Sequence, residues 1–140
     1  MAIRISESEL KKLVTKVVRT VLKEYVDNQE ILVKHMVGSA DYEPKEGGTW
    51  KDYWEHKSNK LFPSQRTKCV CCGEMKEPMD FVGGHVVEVH NRRNKYIHPV
   101  CEDCNKKYGK GKLKSPEFKV RQGDCVKWLM SESKKVHHDN

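Results

Sequence analysis

The segment YIHPVCEDCN, residues 96–105, carries two cysteines that are separated by two residues, Cys101 and Cys104. An apolar, β-prone run precedes them and a polar, lysine-rich segment follows. We therefore expect a strand that leads to the first thiol and a short helix that carries the second. Two thiolates cannot complete a tetrahedral metal site, so the segment predicts a second pair of ligands elsewhere in the chain.

The second cysteine pair, Cys69 and Cys72, lies in KCVCCGEMK, where Gly73 permits the sharp turn of a zinc knuckle. Together the two pairs predict a closed structural site in which four cysteines hold Zn²⁺. Disulfide bonds are the alternative, and a reducing cytosol disfavours them. Cys71 is a spare thiol that can replace a neighbouring ligand, so the sequence leaves the ligand set open at this position.

The composition of the 140 residues indicates one small domain, or one domain with an appendage, that needs a metal or disulfide bonds for stability. Hydrophobic residues make up 36% of the chain and charged residues 34%, so the core must be small. No run approaches the roughly 18 apolar residues of a membrane span. The first ten residues lack the apolar region of a signal peptide. We therefore expect a cytoplasmic protein without a membrane partner.

The net charge of +7 is concentrated in residues 91–121, which contain ten basic and three acidic residues. Positive potential of this kind attracts polyanions, and its position beside the second cysteine pair favours a nucleic-acid interface. A solvated lysine surface is the alternative. The predicted contacts are Arg92, Arg93 and Lys95 at the hairpin loop, with Lys106, Lys107, Lys110 and Lys112 after the second cysteine pair.

Residues 1–37 are predicted to form an amphipathic helical segment. Ser6 is the expected N-cap, with Glu9 three residues later. From Leu10 to Tyr25 the apolar residues follow the i, i+3, i+4 pattern of one helix face. That face either packs on the protein's own core or serves for partner docking or self-association.

The remaining segments follow from composition and capping signals. Residues 38–48 combine glycine, proline and acidic residues without periodicity, which predicts a linker. The zinc domain is expected over residues 49–130, beginning with a short helix capped by Thr49 and Asp52. Residues 131–140 are polar and are expected to form a flexible tail.

Between the cysteine pairs, the runs DFVGGHVVEVH and KYIHPVC predict two strands joined by the loop NRRN. The order of knuckle, hairpin and helix is that of a treble-clef, or ββα-metal, arrangement. The predicted fold class is therefore α+β: a small zinc-stabilised domain preceded by an amphipathic helix.

Three motifs resemble the HNH family of nucleases over residues 49–128. They are Cys-x-x-Cys-Gly at 69–73, Gly-His-Val at 84–86 and Tyr-Ile-His-Pro-Val-Cys-x-x-Cys-Asn at 96–105. The segments TWKDYWE at 49–55 and PEFKV at 116–120 also resemble a group of small HNH-like zinc proteins of phages and bacteria. This resemblance implies a bacterial or phage-infected cell as the location.

The resemblance implies that His85 is the general base and that Asn105 is a helix ligand for a second divalent ion. Gly84 stands where the family has a metal-binding Asp or His, and Tyr96 stands where it has the Asn that orients the base. We therefore expect nucleic-acid binding without strong catalysis. One alternative is a metal-dependent endonuclease or nickase that uses His85. The other is a protein-interaction module that docks through its N-terminal helix.

Overall fold

The structure, a computed structural model, describes residues 4–136 as a mixed α/β fold with three α-helices and a five-stranded antiparallel sheet. The helices are α1 (Glu7–Asn28), α2 (Trp50–Ser58) and α3 (Glu102–Gly109). The strands are β1 (Glu30–His35), β2 (Tyr42–Pro44), β3 (Thr67–Lys68), β4 (Met75–Lys76), β5 (Phe81–Glu88), β6 (Lys95–Cys101), β7 (Phe118–Arg121), β8 (Val126–Lys127) and β9 (Ser133–Lys135). None of these helices has the length and apolar character needed to cross a membrane.

The central sheet has the strand order β7-β1-β5-β6-β8, and every neighbouring pair is antiparallel. Its longest ladder is the β5–β6 hairpin, which runs from Phe81 opposite Cys101 to Val87 opposite Lys95. In the loop, the amide of Asn94 donates to the carbonyl of Asn91. The predicted hairpin is confirmed, but it is the middle of a larger sheet.

The two faces of this sheet have different partners because successive side chains of a strand point to opposite sides. A Cβ on Gly83 would lie 2.4 Å from the backbone of Trp50 in α2. A Cβ on Gly84 would instead lie 3.6 Å from the side chain of Asn105 in α3. Helix α2 therefore covers one face, while α3 and the knuckle cover the other.

Helix α2 begins with the predicted capping box, in which Thr49 and Asp52 each accept a hydrogen bond from the other's amide. Its aromatic side chains form the expected lid on the core. Tyr53 and Trp54 are buried and pack in one cluster with Ile97 and two residues of the C-terminal segment. A second cluster fills the opposite face of the sheet and includes three of the four predicted zinc ligands, Cys69, Cys101 and Cys104.

The predicted helical segment of residues 1–37 needs a correction, because residues 30–35 form strand β1. Helix α1 ends at Asn28, and the period of the pattern then changes from 3.6 to 2. Val33 and His35 alternate inward and are buried. Strand β1 lies between β7 and β5, so this part of the segment belongs to the central sheet.

Two segments that were predicted to lack regular structure pair with each other. Strand β2 lies within the predicted linker of residues 38–48, and strand β9 lies within the predicted tail of residues 131–140. Tyr42 is opposite Lys135, and Pro44 is opposite Ser133. Each strand of this ladder has only three residues, too few for a period-2 pattern to be recognised in the sequence. The last part of the predicted tail, residues 137–140, lies outside the described residues.

Helix α1 begins at the predicted N-cap, where Ser6 Oγ accepts from the amide of Glu9. Within residues 4–136, the contacts of α1 with the rest of the fold are concentrated at its C-terminal end. Arg121 donates to the side chain of Asn28, and the amide of Gln122 donates to the carbonyl of Gln29. No residue of α1 is buried, so the chain's own core does not receive the apolar face.

We expect Gly83→Ala to destabilise the protein by about 2 kcal/mol, because the new Cβ would overlap the backbone of α2, which has no flexible side chain to move aside. Thermal unfolding of the metal-loaded protein measures this. Gly109→Ala is the control, since its Cβ would meet its nearest neighbour at an ordinary 3.7 Å. Equal melting temperatures for the two variants would contradict the close contact between β5 and α2.

Candidate metal centre

The first ligand pair lies on a small hairpin, the knuckle, formed by β3, β4 and the turn between them. Within it the amide of Cys69 donates to the carbonyl of Glu74, and the amide of Gly73 donates to the carbonyl of Cys69. Gly73 has a φ of +75°, a left-handed conformation that favours glycine. This turn brings Cys69 and Cys72 to the same side of the hairpin.

The second pair lies where β6 passes directly into α3. Cys101 is the last residue of the strand and the N-cap of the helix, and its Sγ accepts from the amide of Cys104 at 3.5 Å. The amide of Cys101 in turn donates to Cys69 Sγ at 3.4 Å. Amide hydrogen bonds of this kind stabilise thiolates, and the second one connects the two ligand pairs.

The four thiols, Cys69, Cys72, Cys101 and Cys104, lie within 4.8 Å of one another. Cys72 Sγ and Cys101 Sγ are 3.9 Å apart, close to the roughly 3.8 Å that joins two sulfurs of a tetrahedron with Zn–S bonds of about 2.3 Å. All six cysteines are free thiols. The group could therefore hold a zinc ion, and no disulfide competes for these sulfurs.

Cys71 lies beside this group but outside it. Its Sγ is 3.4 Å from His35 Nε2, within hydrogen-bonding distance. The geometry therefore assigns Cys72 to the cluster and leaves Cys71 on the side of the knuckle that faces β1.

Burial and hydrogen bonds shift the pKa values of three of the metal-free thiols in different directions. Burial opposes ionisation of Cys69, but the amides of Cys101, Cys72 and Cys71 outweigh it, so the pKa of Cys69 is lowered. Burial raises the pKa of Cys101 to about 11 and raises the pKa of Cys104 as well. Of these three thiols Cys69 is thus the most easily ionised, and a bound cation would have to displace the protons of Cys101 and Cys104.

His35 is a residue near the site that the sequence reasoning missed. It is 4% exposed on β1, between the rings of Tyr108 and Phe118, and burial lowers its pKa to about 4. Its Nδ1 has no hydrogen-bond partner among the described residues. The alternation of EILVKH was the available signal, because it predicts a strand whose inward positions include this histidine.

The structure does not bring His85 and Asn105 together. His85 is 5% exposed and lies edge-on to Trp50 and Trp128, with ring centroids at 4.8 and 4.6 Å. Burial lowers its pKa to about 4. Asn105 lies across the sheet, near Gly84. This enclosure argues against water activation by His85, since a general base must reach its substrate.

The predicted nucleic-acid contacts divide into two groups. Arg92 and Lys95 line an open groove of about 920 Å³, together with Lys34 and Lys114, which sequence reasoning did not include in the interface. The other predicted contacts are Arg93, Lys106, Lys107, Lys110 and Lys112, which are exposed outside the groove lining.

No protein-family model, no curated protein and no solved structure matches the chain. The resemblance to HNH nucleases therefore depends on the sequence motifs alone.

Replacing Cys72 with Ser should lower the zinc affinity by more than about 100-fold, because a thiolate ligand is lost. Loss of a residue that only hydrogen-bonds a ligand typically lowers metal affinity about 10- to 100-fold. Zinc per chain after a chelator challenge, measured by elemental analysis, tests this. Cys71→Ser is the matched control and should retain the metal. The reverse result would exchange the roles of the two cysteines.

Zinc binding at pH 7 should release at least two protons, because Cys101 and Cys104 have raised pKa values and must lose their protons to become ligands. The metal-free chain therefore holds more protons than the metal-bound chain. Zinc affinity should then fall as the pH is lowered from 8 to 6. Calorimetry in buffers with different ionisation enthalpies counts the protons, and zero release would contradict this ligand set.

Proposed function

We propose that the protein is a zinc-stabilised, HNH-like treble-clef module that binds nucleic acid through the basic groove. The groove carries this proposal. It opens between β1, the β5–β6 loop, α3 and residues 111–117. Its basic residues come from three separated parts of the chain, yet they line one concave surface.

The charges of the groove are available to a ligand. Lys34, Arg92, Lys95 and Lys114 form no ion pair within residues 4–136, and Glu117 is the one acidic residue in the described lining. Unpaired charges in a concave surface focus positive potential outward. Phosphates would supply the missing counter-charges without reading a base sequence.

An aromatic ring accompanies these charges. Tyr108 lines the groove, and Lys107 Nζ lies 5.5 Å from the centre of its ring. Tyr108 is partly exposed. Aromatic rings can stack nucleobases, and unpaired bases stack more readily than those of a duplex. The combination of basic side chains with one ring favours a single strand over a duplex.

The metal centre would hold the groove in shape. Cys104 and Tyr108 are four residues apart in α3, so they lie on the same face of the helix, about one turn apart. Anchoring Cys104 to the knuckle therefore positions Tyr108. Helix α3 forms one wall of the groove, and its position would depend on the same anchoring of Cys104. Zinc therefore has a structural role in this proposal.

The order of the elements supports the treble-clef part of the proposal. The knuckle of β3 and β4 comes first, the β5–β6 hairpin second and α3 last, with ligands on the first and at the junction of the other two. Cleavage is not part of the proposal, because His85 is enclosed by tryptophan rings on the face opposite Asn105.

Replacing Lys34, Arg92 and Lys95 with Ala should weaken binding of a fluorescein-labelled, single-stranded 20-mer, because three phosphate contacts are lost. The slope of log affinity against log salt concentration should fall in magnitude by about 2, since each phosphate contact on a single strand contributes about 0.7. Fluorescence anisotropy across a series of salt concentrations measures both effects.

The matched control replaces Lys12, Lys45 and Lys135 with Ala, which removes the same charge from exposed positions outside the groove. It should leave the slope nearly unchanged. Removal of zinc should abolish binding, and restored zinc should recover it. Equal losses in both triple variants, or an affinity that is indifferent to salt, would end the proposal.

A further inference from the structure

Helix α1 presents a continuous apolar face that no other described part of the chain, within residues 4–136, covers. Nine of its large side chains are 49–63% exposed. They are Leu10, Leu13, Val14, Val17, Val18, Val21, Leu22, Tyr25 and Val26. Amphipathic helices derive most of their stability from packing such a face. A 22-residue helix with no buried residue therefore lacks the contact that its sequence pattern calls for.

The exposed side chains form two parallel ridges. One runs through every fourth residue from Leu10 to Val26, and the other runs through every fourth residue from Leu13 to Tyr25. Ridges of this i, i+4 type pack into the matching groove of a helix that carries the same ridges. An identical helix supplies that surface, and a two-fold axis lets each copy present it to the other.

We propose that α1 is a homodimerisation helix whose partner is α1 of a second copy of this chain. The nine exposed side chains present on the order of 800 Å² of surface, the area that one partner contributes to an interface of standard size. This inference does not depend on nucleic-acid binding, since α1 contributes no residue to the basic groove.

The attachment of α1 leaves this face open. Its contacts with the body are made by the last turn and the residue that follows it. Asn28 and Gln29 bond to Arg121 and Gln122, and Asp27 packs close to Gly123. Asp27 lies on the polar side of the helix, on the opposite side of the helix axis from Val18. A second helix can approach the ridges without displacing these contacts.

The charges of α1 favour a second copy over other occupants. The helix carries five basic and four acidic residues, so two copies meet with almost no net repulsion. A membrane surface is less well matched, because the ridges consist of valine, leucine and one tyrosine, without the tryptophan and phenylalanine typical of interfacial helices. The strongly basic part of the protein lies elsewhere, in residues 91–121.

Light scattering during size-exclusion chromatography tests the proposal on the full chain. At about 50 µM we expect a mass near twice 16.3 kDa. Val17→Glu combined with Val21→Glu places a charge on the middle of one ridge in each copy. This double variant should weaken dimerisation at least about a hundredfold and elute as a monomer, because buried unpaired charges are strongly disfavoured.

Lys16→Glu is the control, since it changes charge on the polar side of the helix and should remain dimeric. Zinc content and near-ultraviolet circular dichroism should be unchanged in the double variant, because these valines contact no core residue in the monomer. A monomeric wild type at 100 µM, a dimeric double variant or a double variant that loses zinc would overturn the proposal. So would α1-dependent co-sedimentation of a monomer with phosphatidylcholine–phosphatidylglycerol vesicles.

Discussion

Four cysteine thiols converge where a two-stranded knuckle meets the junction of β6 and α3, and the rest of the site depends on this convergence. The knuckle has only two residues in each strand, too few to order itself by backbone pairing alone. The hydrogen bond from the Cys101 amide to Cys69 Sγ already links the two cysteine pairs. A cation held there would fix the first turn of α3, which in turn positions the wall of the basic groove.

The central sheet separates the chemistry of the molecule into two sides. On one side His85 is buried against the rings of Trp50 and Trp128, and burial lowers its pKa. On the other side lie the thiols, His35 and Asn105. Strand alternation makes this separation unavoidable once β5 pairs with β6, because residues 84 and 85 must face opposite ways. A histidine and an asparagine that fit one motif in sequence are thereby placed in different environments.

Local patterns were sufficient for the elements whose signals lie within a few residues. The N-cap of α1, the capping box of α2, the β5–β6 hairpin and the pairing of Cys69 and Cys72 with Cys101 and Cys104 were all predictable. Elements held by distant backbone pairing were not. Strand β9 is polar and pairs with a segment about ninety residues away, and β1 follows a strong helix so closely that the change of period was missed.

The sequence by itself determined the local turns, the amphipathic helices and the ligand spacing, because propensity, capping and side-chain period act over short distances. Only the tertiary structure decided which residues meet. It excluded Cys71 from the sulfur cluster, brought Lys34 and Lys114 beside Arg92 and Lys95, and left α1 without a buried residue. These outcomes follow from sheet order and from which face each strand presents, and they depend on contacts between residues far apart in the chain.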